Sequence, residues 1–179
     1  MNNIKHIILI FSLILSLAAC QKEAELTYAN QEAKIDSYIT SMMGSGEYEL
    51  TRNSGSNRIT TTAGSGEELR EGGTVSLYLA GYTFNNGFNK NGLFFTNSEE
   101  AATEAGWSVT EPDYNILTLT LSKDNFIEGL YNGLIGVKGG ECCQIIFSAK
   151  YGYGTKKNGM IPAKTALLYK VWVESISNE

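Results

Sequence analysis

The chain opens on an apolar run, residues 7–17, with Lys5 ahead of it and the small residues Ala18 and Ala19 behind it, just before Cys20. Charge, apolar stretch and small residues in that order are the layout of a secretory signal. A helix that crosses a bilayer needs about 20 apolar residues, and this run is about half as long and contains Ser12 and Ser16, so no permanent span is expected. Residues 20–30 show no period and read as a polar tether. From Gln31 the spacing turns helical, with Ile35, Tyr38, Ile39 and Met42 at i, i+3, i+4 and i+7, and Gly44 and Gly46 end the helix. The methionines are expected to fill core gaps.

Beyond residue 47 the period shortens. Residues 48–50 and 59–62 are short β-prone runs on either side of an Asn/Ser/Gly turn, and they read as edge strands. Gly72-Gly73 introduces the strongest strand, residues 74–84, whose alternation predicts a half-buried strand on a curved sheet. Residues 85–113 are expected to form a long loop carrying the apolar island Leu93-Phe94-Phe95 and Trp107, and loops of that length in a compact domain are usually functional. A strand over 116–121 follows. Ser122 then stands where a helix N-cap is expected. The helix after it has Phe126, Ile127, Leu130 and Leu134 on one face, and Gly139-Gly140 closes the segment. Strands over 142–147 and 165–176 complete the chain. Strands outnumber helices and no segment repeats, which predicts an α+β domain whose antiparallel sheet closes over one helix.

Composition removes several chemistries. The only histidine, His6, lies in the signal segment, so a chain cut before Cys20 has none. A Ser-His-Asp triad, a Cys-His pair and a histidine zinc site are then excluded. Two cysteines remain besides Cys20, the adjacent Cys142 and Cys143. Neighbouring residues on a strand point to opposite faces, which disfavours a disulfide between them and predicts one thiol in the core and one near the surface. A disulfide between molecules remains open in an oxidising compartment. Without residues 1–19 the chain keeps 13 of its 14 basic side chains against 19 acidic ones, a balance of −6, and no basic patch stands out, which argues against nucleic acid. Residues 154–159 resemble the start of a phosphate loop, but Met160 and Ile161 stand where Lys and Ser or Thr are required. Glu99, Glu100 and Glu104 read as a solvated loop rather than a metal site. No metal or cofactor is implied.

One ordered set of motifs does hold together. It runs through Tyr78-Leu79-Ala80-Gly81, Gly92-Leu93-Phe94-Phe95, residues 126–134 (FIEGLYNGL), Gly140-Glu141, Tyr151-Gly152-Tyr153-Gly154, Ile161-Pro162 and Leu167-Leu168-Tyr169. In this order and spacing it resembles the FKBP-type peptidyl-prolyl isomerases over about 100 residues. The whole layout is similar to lipid-anchored members from Bacteroidetes-like bacteria. The resemblance implies a five-stranded antiparallel sheet wrapped on one helix, preceded here by a short helix and edge strands. It also implies an apolar pocket lined by Phe95, Phe126, Ile127, Leu130, Tyr153, Ile161 and Tyr169, with Leu79 and Thr96 on the rim. Tyr153, Ile127 and Phe95 are the implied catalytic positions, with the Ile127 N–H and the Tyr153 hydroxyl holding substrate carbonyls. Leu79 and Thr96 replace a frequent Tyr and Asp, and the alternative of a catalytically weak peptide-binding or chaperone lipoprotein stays open. Leu17-Ala18-Ala19-Cys20 resembles the lipobox of bacterial lipoproteins, implying a lipid on Cys20. The expected organisation is therefore a signal over 1–19, a lipidated tether over 20–30, a helix and strand extension over 31–66 and the isomerase domain over 67–179. Proline-containing polypeptides are the expected substrates, a monomer the expected state, and the periplasmic side of the outer membrane the expected location.

Overall fold

Side chains on the long strands fall into two rows, and each row meets a different helix. The computed structural model describes residues 2–107 and 114–179, with side chains from residue 21 onward. Its sheet contains β1 (Glu49–Asn53), β2 (Ser56–Thr62), β3 (Thr74–Phe84), β4 (Leu93–Thr96), β5 (Leu117–Thr120), β6 (Cys142–Phe147) and β7 (Ala166–Ser177). The order is β1-β2-β6-β7-β3-β4, all antiparallel, with β5 pairing β3 below β4. The five strands expected of the domain are thus continued by the β1–β2 hairpin, and β2 is an interior strand rather than an edge.

On one face lie Val75, Leu77 and Leu79 of β3, Cys143, Ile145 and Phe147 of β6, and Leu167, Tyr169, Val171 and Val173 of β7. They pack against Leu130, Tyr131 and Leu134 of α3 (Glu128–Leu134). On the other face Ala80, Tyr82, Phe84, Ile146, Ala166 and Leu168 form a second core with Ile35 and Ile39 of α1 (Asn2–Met43). The period of two along each strand sends alternate residues to alternate cores. A side chain the size of Ile35, which is fully buried, contributes about 1.5–3 kcal/mol by leaving water. Cys143 therefore lies in the α3 core and Cys142 half-buried on the other face, both as free thiols, and burial chiefly, with Glu141 adding, pushes the Cys143 thiol up.

Four expectations about elements are corrected. Residues 20–30 are helical, part of α1, and rest on the domain through buried Ala24 and a Glu23–Lys164 pair at 2.8 Å. The expected loop over 85–113 contains a single 3-10 turn at Lys90–Gly92, β4, and α2 (Glu99–Glu104), N-capped by Ser98 Oγ, which accepts from the Ala101 N–H. Glu99 and Glu100 occupy the first turn of α2, where acidic residues suit the helix dipole. Residues 108–113 of that loop lie outside the described residues. Ser122 does not cap α3: it starts a turn whose carbonyl accepts from Asn125 and Phe126, and the helix begins six residues later, after Ile127. Among the described residues no helix is long and apolar enough to cross a membrane.

Three attachments bind the N-terminal extension to the domain. Gln31 bridges the Lys164 carbonyl and the Ala149 N–H, at 2.7 and 2.9 Å. At the hairpin tip Gly55, with φ +82°, lies so close to the Tyr151 ring that a Cβ there would come within 2.0 Å of it. Behind α3, buried Arg58 of β2 donates to the Gly133 and Ile135 carbonyls at 2.9 and 2.7 Å. A cation at the carbonyl end of a helix is favoured by the dipole. Its Nε lies 3.2 Å from Glu141 Oε1, an ion-pair contact outside hydrogen-bond alignment.

Candidate active site

The α3 core is open at one end, and the opening is a pocket of about 530 Å³. Its floor and walls include Leu79 of β3, Leu117 and Leu119 of β5, Phe126 and Ile127 before α3, Leu130 within it, and Tyr169 of β7. Phe94 and Phe95 of β4 close one side, and Tyr153, Asn158, Gly159, Met160 and Ile161 the other. Among the described residues, none of this lining is charged.

Local structure explains how each group arrives. Ile127 is extended (φ −62°, ψ 151°), its carbonyl accepts from Tyr131, and its N–H has no partner among the described residues. Such a group at a helix N-terminus is a ready hydrogen-bond donor. Tyr153 follows the 3-10 turn Ala149–Tyr151. Gly154 adopts φ +59°, where its N–H reaches the Ala149 carbonyl (2.8 Å) and its own carbonyl receives the Lys164 N–H (2.8 Å). A side chain at that φ would be strained. The Tyr153 hydroxyl makes no hydrogen bond among the described residues. Ile161 is held by a reciprocal pair of backbone bonds with Asn158, at 2.8 and 3.0 Å. Burial, with Tyr153 adding, pushes the Tyr169 phenol well above its ordinary range.

The expected site residues Leu79, Phe95, Phe126, Ile127, Leu130, Tyr153, Ile161 and Tyr169 all line this pocket. Thr96 does not. It is buried, and its Oγ1 donates to the Leu79 carbonyl (3.0 Å) and accepts from the Ser98 N–H (2.9 Å), so it fastens β4 to β3. The two adjacent phenylalanines also differ. Phe94 meets Tyr169 edge to face, with ring centroids 5.8 Å apart and planes at 87°, whereas Phe95 stands at the rim with 43 % of its surface exposed. Gly81 makes room for the inner pair, since a Cβ there would come within 2.6 Å of the Phe94 ring and 2.8 Å of Tyr169. The sequence reading placed Phe95 among the catalytic positions and left Phe94 unassigned. The apolar island Leu93-Phe94-Phe95 was the available signal, and strand register decides which ring faces inward.

The site is thus a largely apolar pocket between the sheet and α3, with an unpartnered N–H at Ile127 and a phenol on the loop at Tyr153. The sequence profile of the FKBP-type peptidyl-prolyl cis-trans isomerases matches residues 66–174. The chain is 28 % identical over 122 residues to FK506-binding protein 1 of Aspergillus oryzae, covering 65 % of this chain and 94 % of that one. Among solved structures it is similar to FkpA from Escherichia coli, with a TM-score of 0.57 and 20 % identity over 97 % of this chain and 71 % of that one. It is also similar to a peptidyl-prolyl cis-trans isomerase from Pseudomonas syringae pv. tomato, with a TM-score of 0.57 and 18 % identity over 85 % of this chain and 96 % of that one. The chain belongs to the FKBP-type peptidyl-prolyl cis-trans isomerase family and is an enzyme of that type.

Proposed function

We propose that this isomerase assists the folding of exported proteins from a lipid anchor on Cys20, on the periplasmic side of the outer membrane, and that it works as a monomer by stabilising the twisted amide. Rotation about a peptide bond costs about 18–20 kcal/mol because resonance is lost. Xaa-Pro bonds exchange in tens to hundreds of seconds without help, slowly enough to limit folding. The planar amide is more charge-separated than the twisted one, so a pocket without water or charge disfavours the ground state, and complementarity to the twisted form adds differential binding.

The observation that carries this reading is a lining that is uncharged among the described residues, with donors on two separate elements, the Ile127 N–H and the Tyr153 hydroxyl. In this mechanism they hold two substrate carbonyls while the rings of Phe94 and Tyr169 flank the proline. Exposed Phe95 and Met160 at the mouth favour holding unfolded segments alongside turnover. Exchange spectroscopy on an Xaa-Pro peptide tests the mechanism: Ile127→Asp abolishes acceleration and Tyr153→Phe lowers it modestly. Undiminished exchange with Ile127→Asp sinks the pocket assignment.

The anchor is supported by the lipobox-like Leu17-Ala18-Ala19-Cys20, and the outer-membrane location by the lack of Asp after Cys20. With α1 docked from Glu23 onward, only Gln21 and Lys22 separate the lipid from the domain, so the domain would lie close against the bilayer rather than on a free leash. Cys20→Ala should release the protein to the soluble envelope fraction with its turnover intact. Retention in the membrane fraction argues against the anchor.

A further inference from the structure

A second cleft, of about 740 Å³, lies between α1 and the body of the domain. Phe94 and Met160 belong to the linings of both hollows, so the cleft adjoins the prolyl pocket on that side. Past that threshold apolar Leu93, Pro162 and Ala166 alternate with polar side chains. Thr27 and Asn30 of α1 face Thr83 of β3, Asn91 and Thr165, all neutral groups. The two lysines of the lining are already engaged, Lys34 by Asn85 Oδ1 at 2.9 Å and Lys164 by Glu23 at 2.8 Å. Amides and hydroxyls both donate and accept, which suits the alternating N–H and C=O groups of an extended main chain. The helical wall is fixed in advance by Gln31 and by buried Ile35, so a ligand need not order it.

We propose that this cleft is a second substrate subsite, which takes the extended polypeptide on one side of the isomerised proline and reads its main chain. The inference rests on the isomerase reading of the adjoining pocket. The subsite makes the enzyme favour long unfolded chains over short peptides, and only in one direction, because the cleft leaves the pocket on the Phe94 and Met160 side alone. Its wall comes from the N-terminal helix, so this selectivity belongs to the extension and not to the isomerase domain by itself.

Calorimetric titration of the full-length protein tests it with three peptides: an Xaa-Pro tetrapeptide, and two ten-residue peptides that extend it with Ser, Asn and Ala at its N-terminal or its C-terminal end. One ten-residue peptide should bind about tenfold more tightly than the tetrapeptide, a gain of about 1.4 kcal/mol, and the other should match the tetrapeptide. Asn30→Trp, at an exposed position of α1, should erase the gain while leaving tetrapeptide affinity and exchange unchanged. Equal affinity of all three peptides overturns the proposal, and so does a gain that survives Asn30→Trp. A tetrapeptide that binds without accelerated exchange would instead refute the catalytic reading, with the length dependence still measured by binding.

Discussion

The two faces of the sheet carry similar side chains and end differently. Toward α1, Ala80, Tyr82, Phe84, Ile146, Ala166 and Leu168 are buried, and the Tyr38 ring stands edge-on to Phe84 and donates to Gln144 at 2.8 Å. Toward α3 the covering helix has seven residues, too few to roof the strands, and Phe126, Leu130 and Tyr169 are left around a hollow. An apolar core becomes a binding site here by being left unfinished at one end, with glycines such as Gly81 deciding how deeply the rings sit. The α1 face is the more closed one, open at the cleft along its rim, and the extension reaches round to brace α3 from behind.

That division of labour can be broken from either side. Arg58→Met should have the largest effect, a loss of about 3–5 kcal/mol in urea denaturation, because it leaves Glu141 buried without its cation. A loss below 1 kcal/mol would show that the extension is not a brace. Ile35→Ala on the closed face should cost roughly 3 kcal/mol by opening a cavity, with tetrapeptide exchange at 25 °C unchanged. Lowered exchange in the folded variant would show that the faces are coupled. Tyr38→Phe should cost about 1 kcal/mol, the worth of one hydrogen bond. In alkylation of the native protein, half-buried Cys142 should react and Cys143 should resist until unfolding, and equal rates would contradict the assignment of the two thiols to opposite faces. The smallest expected effect is on pH dependence: with no carboxylate, histidine or lysine among the described residues of the lining, kcat/KM on a neutral peptide should stay flat between about pH 5 and 8.

Much of this architecture is legible in the residue pattern, because the period of two in β3 and β6 and the i, i+3, i+4 spacing of Ile35, Tyr38 and Ile39 are imposed by burial itself. Eight of the nine expected pocket residues line the hollow for the same reason: a family order of motifs fixes strands, and strands fix faces. What escaped depends on register and on distant partners. Between Gly81 and Tyr82 the β3–β4 pairing shifts, Phe95 lying opposite Gly81 and Leu93 opposite Tyr82, and such an irregularity re-aims side chains without any periodic trace. Thr96 is turned inward by the same ladder. Residues 20–30 look aimless alone, since Glu23 and Gln31 find their partners more than a hundred residues away. Arg58 reads as a surface charge until α3 and Glu141 are folded against it.

The central claim is that the open end of the α3 core, with Phe94 as its inner wall, accelerates prolyl rotation. The direct measurement is the exchange rate of an Xaa-Pro tetrapeptide with the wild-type protein, Phe94→Ala and Phe95→Ala side by side. Clear acceleration is expected from the wild type, with a loss of about tenfold or more for Phe94→Ala and a change within about twofold for Phe95→Ala, as follows when only one ring makes transition-state contact. No acceleration by the wild type, or a loss that follows Phe95 and spares Phe94, would contradict it.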